Sequence, residues 1–260
     1  MILNFYKYHG NGNDFIMVNN INSDVDLSTY RISKICDRHF GIGGDGLISI
    51  ESSGLGDFEM LYYNSDGNKG SMCGNGGRCA AAFAFMCGIV KEKMNFVAYD
   101  GIHRAEILNT NAEKTDFLVS LSMSDVDNVE EYDNYMFMDT GSPHYIEFVD
   151  HLAEFDVFNL GRKTRYSEKF HPHGTNVNFV ELNENRVFAR TYERGVEDET
   201  LSCGTGVTAT AIATYIKTGK KNIDIHTIGG DFNVQLEKKG EKFTNIILTA
   251  PVKFVFKGEY

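Results

Sequence analysis

One ungapped offset relates the two halves of the chain, and that repeat constrains the fold more than any other feature. Cys73 and Cys203 lie 130 positions apart (203 less 73), half of the 260 residues. At that offset Met72-Cys73-Gly74-Asn75-Gly76-Gly77 lies over Ser202-Cys203-Gly204-Thr205-Gly206-Val207. Phe58 meets Phe188, Tyr62 meets Tyr192, Gly44 meets Gly174, Glu51 meets Glu181 and Phe40 meets Phe170. Gly12-Asn13-Asp14-Phe15 meets Ser142-Pro143-His144-Tyr145, each time where a turn feeds an apolar strand. A Cys-Gly-x-Gly recurring at the same offset as a Phe-x-x-x-Tyr predicts two copies of one fold unit, related by a pseudo-twofold axis.

Period-two alternation places strands near 2–9, 14–19, 46–51, 57–63, 95–98, 101–108 and 116–122. In the second half they fall near 135–138, 145–149, 177–182, 186–192, 223–226, 231–238 and 243–249. Each half also carries one helix that is apolar all round, which means a buried helix. Cys79 to Cys87 is nearly all Ala, Phe and Met, with Gly88 as its stop, and the partner runs from Val207 to Gly219. Shorter helices near 28–38 and 159–169 match at the offset. The expected class is α+β: two pseudosymmetric domains, each a mostly antiparallel sheet wrapped around a buried central helix. The predicted boundaries are 1–118 and 119–251, with a final strand at 252–260 returning to the first domain.

The net charge of -11 argues against a nucleic-acid or anionic-membrane surface, since both need clustered Lys and Arg. No run of about 18 apolar residues is present, and the start reaches Asn4 and Lys7 too early for a signal-peptide core. The expectation is a cytoplasmic protein with reduced thiols; five cysteines are an odd count, not a disulfide framework. Cys36 and Cys87 read as small buried hydrophobes.

Cys73 and Cys203 differ, because each stands just before the first turn of a buried helix and is followed by glycines. A helix start leaves about four N–H groups without helical partners and carries partial positive charge. It binds a carboxylate and lowers the pKa of an adjacent thiol. The terminus supplies about 0.3–1 kcal/mol, and about 2 where buried, so it moves a thiol from about 8.5 to about 7–8. That is the poise a racemising site needs: one thiolate takes a proton from carbon while a thiol delivers one to the opposite face. Two nearby thiols favour this mixed state because a second negative charge is disfavoured by the first. Three other readings of the turns are weaker. Their spacing matches neither a P-loop nor a dinucleotide-binding loop. Cys73 with Cys79 is a poor zinc spacing, and no Cys-x-x-Cys exists. A Gly-flanked turn is also a poor place for an inert core cysteine. His171-Pro172-His173 lacks an obvious third metal ligand, so no metal is expected.

The motifs together resemble the diaminopimelate epimerase family, over essentially the whole chain and in the family's order. They are His9-Gly10-Asn11-Gly12-Asn13-Asp14-Phe15, Gly41-Ile42-Gly43-Gly44-Asp45-Gly46, Tyr63-Asn64-Ser65-Asp66-Gly67 and Met72 through Cys79. In the second half they are Gly141-Ser142-Pro143-His144, Gly174-Thr175-Asn176-Val177-Asn178-Phe179, Tyr192-Glu193-Arg194-Gly195 and Glu199 through Gly206. The resemblance implies interconversion of LL-2,6-diaminopimelate and its meso isomer, with neither pyridoxal phosphate nor metal, in lysine and peptidoglycan precursor synthesis. It implies a homodimer with a small-molecule substrate. By position it makes Cys73 and Cys203 the catalytic thiols, with His144 aiding Cys73 and Glu193 aiding Cys203. Gly74, Asn75, Gly204 and Thr205 match the residues holding the reacting carboxylate, and Asn13, Asn64, Asn176, Glu193 and Arg194 match the other substrate contacts. Arg194 suits a carboxylate, Glu193 an ammonium, and the asparagines either.

Two positions depart from the family pattern. Gly46 stands where many members carry Gln, and Ser142 where many carry Asn, so those polar contacts are expected to be missing or replaced. The alternative function is a proline or hydroxyproline racemase, with the same two-thiol logic but no need for a clamp on a distal charged end. A phenazine-biosynthesis-like isomerase usually lacks the paired cysteines, and a non-catalytic amino-acid binding module requires neither thiol.

Overall fold

The computed structural model describes residues 2–22, 25–183 and 186–260. The chain divides into two compact units, Met1–Leu121 with Ala250–Tyr260, and Ser122–Thr249. The architecture is the mostly-strand α+β fold expected from the repeat.

In the N-terminal unit the strands are β1 (Asn4–Gly10), β2 (Asn13–Asn19), β3 (Gly46–Glu51), β4 (Phe58–Asn64), β5 (Lys93–Ala98), β6 (Gly101–Thr110) and β7 (Asp116–Ser122). They pair in sequence order, and the end of β16 (Lys242–Glu259) pairs with β7 on one side and β1 on the other. The sheet therefore closes on itself, which removes its edges. All pairs are antiparallel except β2 with β3 and β4 with β5. Between β2 and β3 lies α1 (Thr29–Cys36), and α2 (Gly74–Met86) packs against β1, β2, β3, β4 and β6. Every residue of α2 from Gly74 to Ala84 is buried. A fully buried Phe83 alone contributes about 1.5–3 kcal/mol.

The C-terminal unit repeats the scheme with β8 (Val129–Glu131), β9 (Met136–Asp139), β10 (Pro143–Phe148), β11 (Asn176–Leu182), β12 (Val187–Glu193), β13 (Asp198–Thr200), β14 (Asn222–Thr227) and β15 (Gly230–Lys239). The order is β16-β15-β14-β12-β11-β10-β9-β8, and β13 pairs with β12. A bridge from Val126 to Phe243 ties the segment before β8 back to β16. The helices are α3 (Val157–Arg165), capped by Asp156 through Asn159 N–H, and α4 (Gly204–Thr218). α4 packs on β9, β10, β11, β12, β14 and β15 and ends at Gly219 in the left-handed region.

The repeat offset survives in the pairing. Phe58 faces Phe96 where β4 runs parallel to β5, and Phe188 faces His226 at the same place in the second unit. Both are aromatic pairs, with ring centroids 5.1 Å and 5.6 Å apart.

The structure corrects the sequence reading at three places. Both buried helices begin earlier than their apolar runs, at Gly74 and Gly204, because glycine depresses helix propensity without forbidding a first turn. The short strands β8 and β13 carry Val129-Glu130-Glu131 and Asp198-Glu199-Thr200, too polar and brief to show a period. The strands expected at 243–249 and 252–260 are one 18-residue strand running through Pro251. Pro251 is tolerated because β15 pairs only up to Thr249 and β1 starts at Lys253. The missing donor falls where β16 is flanked by β7 alone.

Candidate active site

Each expected thiol occupies the N-cap of its unit's buried helix, with matching extended backbone: φ −113° and ψ 121° at Cys73, φ −126° and ψ 113° at Cys203. Each cap carbonyl accepts the first helical bond, from Gly77 N–H at 2.7 Å and Val207 N–H at 2.8 Å. The capping role therefore belongs to the backbone, which leaves the sulfur for other partners.

In the N-terminal unit, Cys73 Sγ lies 3.5 Å from Asn13 Oδ1, at the start of β2. Asn13 belongs to a chain of side chains whose two ends are charged. Arg78 Nη2 donates to Asn75 Oδ1 at 2.9 Å, Asn75 Nδ2 to Asn13 Oδ1 at 3.3 Å, and Asn13 Nδ2 to Asp45 Oδ2 at 2.6 Å. A guanidinium can only donate and a carboxylate only accept, so every amide in the chain is fixed in direction. Arg78 also donates to Asn11 Oδ1 at 3.0 Å and is fully buried; that burial lowers its pKa to about 10, against the pull of Cys79 and Cys73. Asp45 is held by Arg38 at 2.7 Å. Asp14, next to Asn13, pairs with Lys7 and Arg38, both at 2.6 Å. Burial pushes the Asp14 carboxyl up, but hydrogen bonds from Arg38 and Lys7 win and hold it well below the usual range. Asn64 is exposed at the end of β4 and stands outside this chain of bonds.

In the C-terminal unit, Cys203 Sγ lies 3.4 Å from Thr205 Oγ1. Thr205 Oγ1 is 2.9 Å from His144 Nε2 and 3.3 Å from Ser142 Oγ, and Ser142 Oγ is 3.1 Å from the same Nε2. Asn178 Nδ2 donates to Tyr145 O at 2.9 Å and meets His144 Nδ1 at 3.0 Å, while its Oδ1 accepts from Thr191 Oγ1 at 2.9 Å. Tyr145 O can only accept, so the amide nitrogen must face His144, and His144 Nδ1 must be the bare acceptor. The imidazole is thus neutral with its hydrogen on Nε2. Burial agrees, pushing its pKa down to about 3, helped by Arg194 and opposed by the Asn178 hydrogen bond. A Cβ on Gly206 would meet Asn178 Oδ1 at 2.5 Å, so only glycine lets the first turn of α4 approach this cluster.

The remaining expected residues lie around it. Asn176, register neighbour of His144, donates to Ser142 Oγ at 3.1 Å and Pro143 O at 3.0 Å, and accepts from Arg194 N–H at 2.9 Å. Glu193 closes β12 and accepts from Thr200 Oγ1 at 2.9 Å. Arg194 Nη1 reaches His173 O at 3.4 Å. Within the C-terminal unit the contacts of His144 run through Thr205 to Cys203.

The two departures acquire physical content. A Cβ on Gly46 would meet Tyr63 O at 2.4 Å and the Tyr62 ring at 2.6 Å, and one on Gly70 would meet the other part of that ring at 2.5 Å. The Tyr62 ring thus occupies the space a larger residue at 46 would need. Ser142 supplies a hydroxyl to the His144–Thr205 cluster. Three residues escaped sequence reasoning: Arg78, Asp45 and Asn178. Two left a trace, since Arg78 is a charge in an apolar helix and Asn178 an amide in the apolar run Val177 to Val180.

The family model described as diaminopimelate epimerase matches residues 5–126 and 136–255. A diaminopimelate epimerase of Flavobacterium psychrophilum is 51% identical over 259 residues, spanning 98% of this chain and 99% of the relative. This chain belongs to the diaminopimelate epimerase family. A second such relative, from Aquifex aeolicus, is 38% identical over 276 residues, covering 98% of this chain and 97% of its own. Among solved structures, a PhzF-family phenazine biosynthesis protein of Bacillus anthracis shares the fold with TM-score 0.76 at 14% identity, over 100% of this chain and 99% of that one. A hydroxyproline epimerase of Agrobacterium vitis follows with TM-score 0.71 at 13% identity, over 99% and 92%. Those two likenesses speak for the fold alone. Among the described residues no helix is long and apolar enough to cross a membrane.

Proposed function

We propose that this member of the diaminopimelate epimerase family interconverts LL- and meso-2,6-diaminopimelate by proton transfer at the α-carbon, without pyridoxal phosphate. The observation that carries the reading is the pair of N-cap cysteines, Cys73 and Cys203, at matching helices of a chain 51% identical to a protein of that name. One thiolate takes the α-proton and the other thiol gives a proton to the opposite face, so each turnover exchanges their protonation states. The charge developing on the α-carboxylate meets backbone donors of the first helical turns at Gly74, Asn75, Gly204 and Thr205. Asn13, Asn64, Asn176, Glu193 and Arg194 bind the rest of the substrate, Arg194 at a carboxylate and Glu193 at an ammonium. His144 aids Cys73 and Glu193 aids Cys203. In this reading the enzyme is a cytoplasmic homodimer serving lysine and peptidoglycan precursor synthesis.

The test is incubation of metal-free protein with LL-diaminopimelate in D2O under reductant, following α-hydrogen exchange and meso product by NMR. Wild type exchanges and epimerises, and Cys73→Ser and Cys203→Ser each lose interconversion. A folded wild type that neither exchanges nor epimerises rejects this substrate, and activity on proline or hydroxyproline would establish the alternative.

A further inference from the structure

Three neighbouring strands meet at one buried amide. Asn178 on β11 is fully buried and bonds to His144 and Tyr145 on β10 and to Thr191, its register neighbour on β12. The two ends of this amide cannot be exchanged. Turned over, it would set its oxygen against the Tyr145 carbonyl, 2.9 Å from the present nitrogen, and two acceptors would face each other. The nitrogen therefore offers one hydrogen to that carbonyl and the other to His144 Nδ1, 3.0 Å away. His144 is itself fully buried, and the first turn of α4 closes on the pair: a Cβ on Gly206 would meet Asn178 Oδ1 at 2.5 Å and His144 Cε1 at 3.3 Å. With Nδ1 occupied as an acceptor, the ring has one nitrogen left to carry its hydrogen. That nitrogen, Nε2, lies 2.9 Å from Thr205 Oγ1 and 3.1 Å from Ser142 Oγ.

From this arrangement we infer that Asn178 is a positioning residue: it fixes the hydrogen of His144 on Nε2 and makes the imidazole a donor toward Thr205 and Ser142 that cannot accept a proton there. The inference rests on the proposed epimerisation for its catalytic meaning, since His144 is a group of that reading, while the tautomer stands on contacts within one unit. It decides what kind of help His144 gives. An imidazole removes a proton only through a bare nitrogen, and the bare one, Nδ1, is taken by Asn178. What the ring presents to the first turn of α4 is an N–H, so its help is donation of a hydrogen bond. Thr191 serves the same end one strand further away. Its hydroxyl lies 2.9 Å from Asn178 Oδ1 and holds the oxygen end of the amide in place.

NMR of the substrate-free enzyme carrying ¹⁵N-labelled histidine reads the tautomer directly, and His144→Gln assigns the signal by removing one of eight histidines. At pH 7.5 wild-type His144 should show an unprotonated Nδ1 and a protonated Nε2. Asn178→Asp keeps the shape but sets an acceptor against the ring, so Nδ1 should appear protonated. In the epimerisation assay that variant should lose about 100-fold in kcat, the scale for one positioned donor, with KM within about twofold of wild type. Asn178→Ala, which removes the N–H without burying a charge, should show hydrogen shared between both nitrogens and a smaller loss of kcat. A merely structural role would lower the folded fraction and leave the nitrogen shifts of the folded protein where they were. A protonated Nδ1 in wild type overturns the inference, as do wild-type shifts in the folded variants. If Asn178→Asp does not fold, Asn178→Ala and the wild-type spectrum decide. The expected spectra from a protein inert toward diaminopimelate would remove the proposed substrate and leave the hold of Asn178 on His144 standing. Undiminished turnover by a variant with an altered tautomer would do the reverse.

Discussion

His144 ties the stability of the C-terminal unit to pH. The folded protein keeps this imidazole neutral down to about pH 3, against an ordinary value of 6.5, because it is buried. The unfolded chain takes up a proton below 6.5 and the folded one does not, so acid favours unfolding. Stability from this group is complete above pH 6.5, falls by about 1.4 kcal/mol per unit below it, and levels off near pH 3. Between pH 7.5 and pH 5 the loss is about 2 kcal/mol, a large share of an ordinary domain's stability. The perturbation is His144→Gln, which keeps a donor and an acceptor but does not titrate. The assay is equilibrium urea unfolding at both pH values, followed by circular dichroism and tyrosine fluorescence, since the chain has 13 tyrosines and no tryptophan. The variant should start less stable at pH 7.5, having lost shape complementarity, yet lose about 2 kcal/mol less than wild type on going to pH 5. Equal losses in both proteins would refute a neutral, buried His144, and with it the tautomer assigned from Asn178.

Other substitutions report on the N-terminal unit. Asp14→Asn leaves the buried Lys7 ammonium with the Gly43 carbonyl but no carboxylate, and should cost about 3 kcal/mol in urea unfolding at pH 7. Because the Asp14 carboxyl is held below its usual range, wild type should keep this contribution above pH 4 and lose it only under stronger acid, so the gap between the two proteins narrows there. Gly46→Gln should destabilise by about 1–3 kcal/mol through overpacking. Adding Tyr62→Ala should recover only part of that loss, because Tyr63 O still lies 2.4 Å from the new Cβ. Cys36, Cys79 and Cys87, all pushed up by burial (to about 12 for Cys36 and about 11 for Cys87), should resist alkylation at pH 8 in folded protein and react in urea.

What the sequence made legible was whatever repeats or alternates. Phe58 and Phe188 mark equivalent strands because burial on a sheet demands aromatic or branched residues at fixed spacing, and that demand is local. Cys73 and Cys203 stood out because a cysteine before glycines at a helix start is unusual in both halves at once. Hydrogen-bond direction was not legible. Nothing in the spacing of Asn13, Asp45, Asn75 and Arg78 says that they form a chain, since a strand, a loop and a helix far apart in sequence bring them together. Nor does sequence reveal that Asn178 pins the tautomer of His144, a matter of two side chains on neighbouring strands. Pro251 misled for a related reason: its cost depends on which flank of the strand is paired, and that is a property of the assembled sheet.

The last strand has a consequence for how the protein is made. Residues 250–253 of β16 pair with β7, and 253–259 with β1, so the final stretch of the polypeptide closes the barrel that the first stretch opens. During synthesis the N-terminal half leaves the ribosome first, but with both β1 and β7 lacking this neighbour. Its barrel must wait until the whole C-terminal half has been translated. Until then those two unpaired edges are exposed to other nascent chains, and a chain stopped short of residue 250 would keep them so. The half synthesised first is the half that finishes folding last.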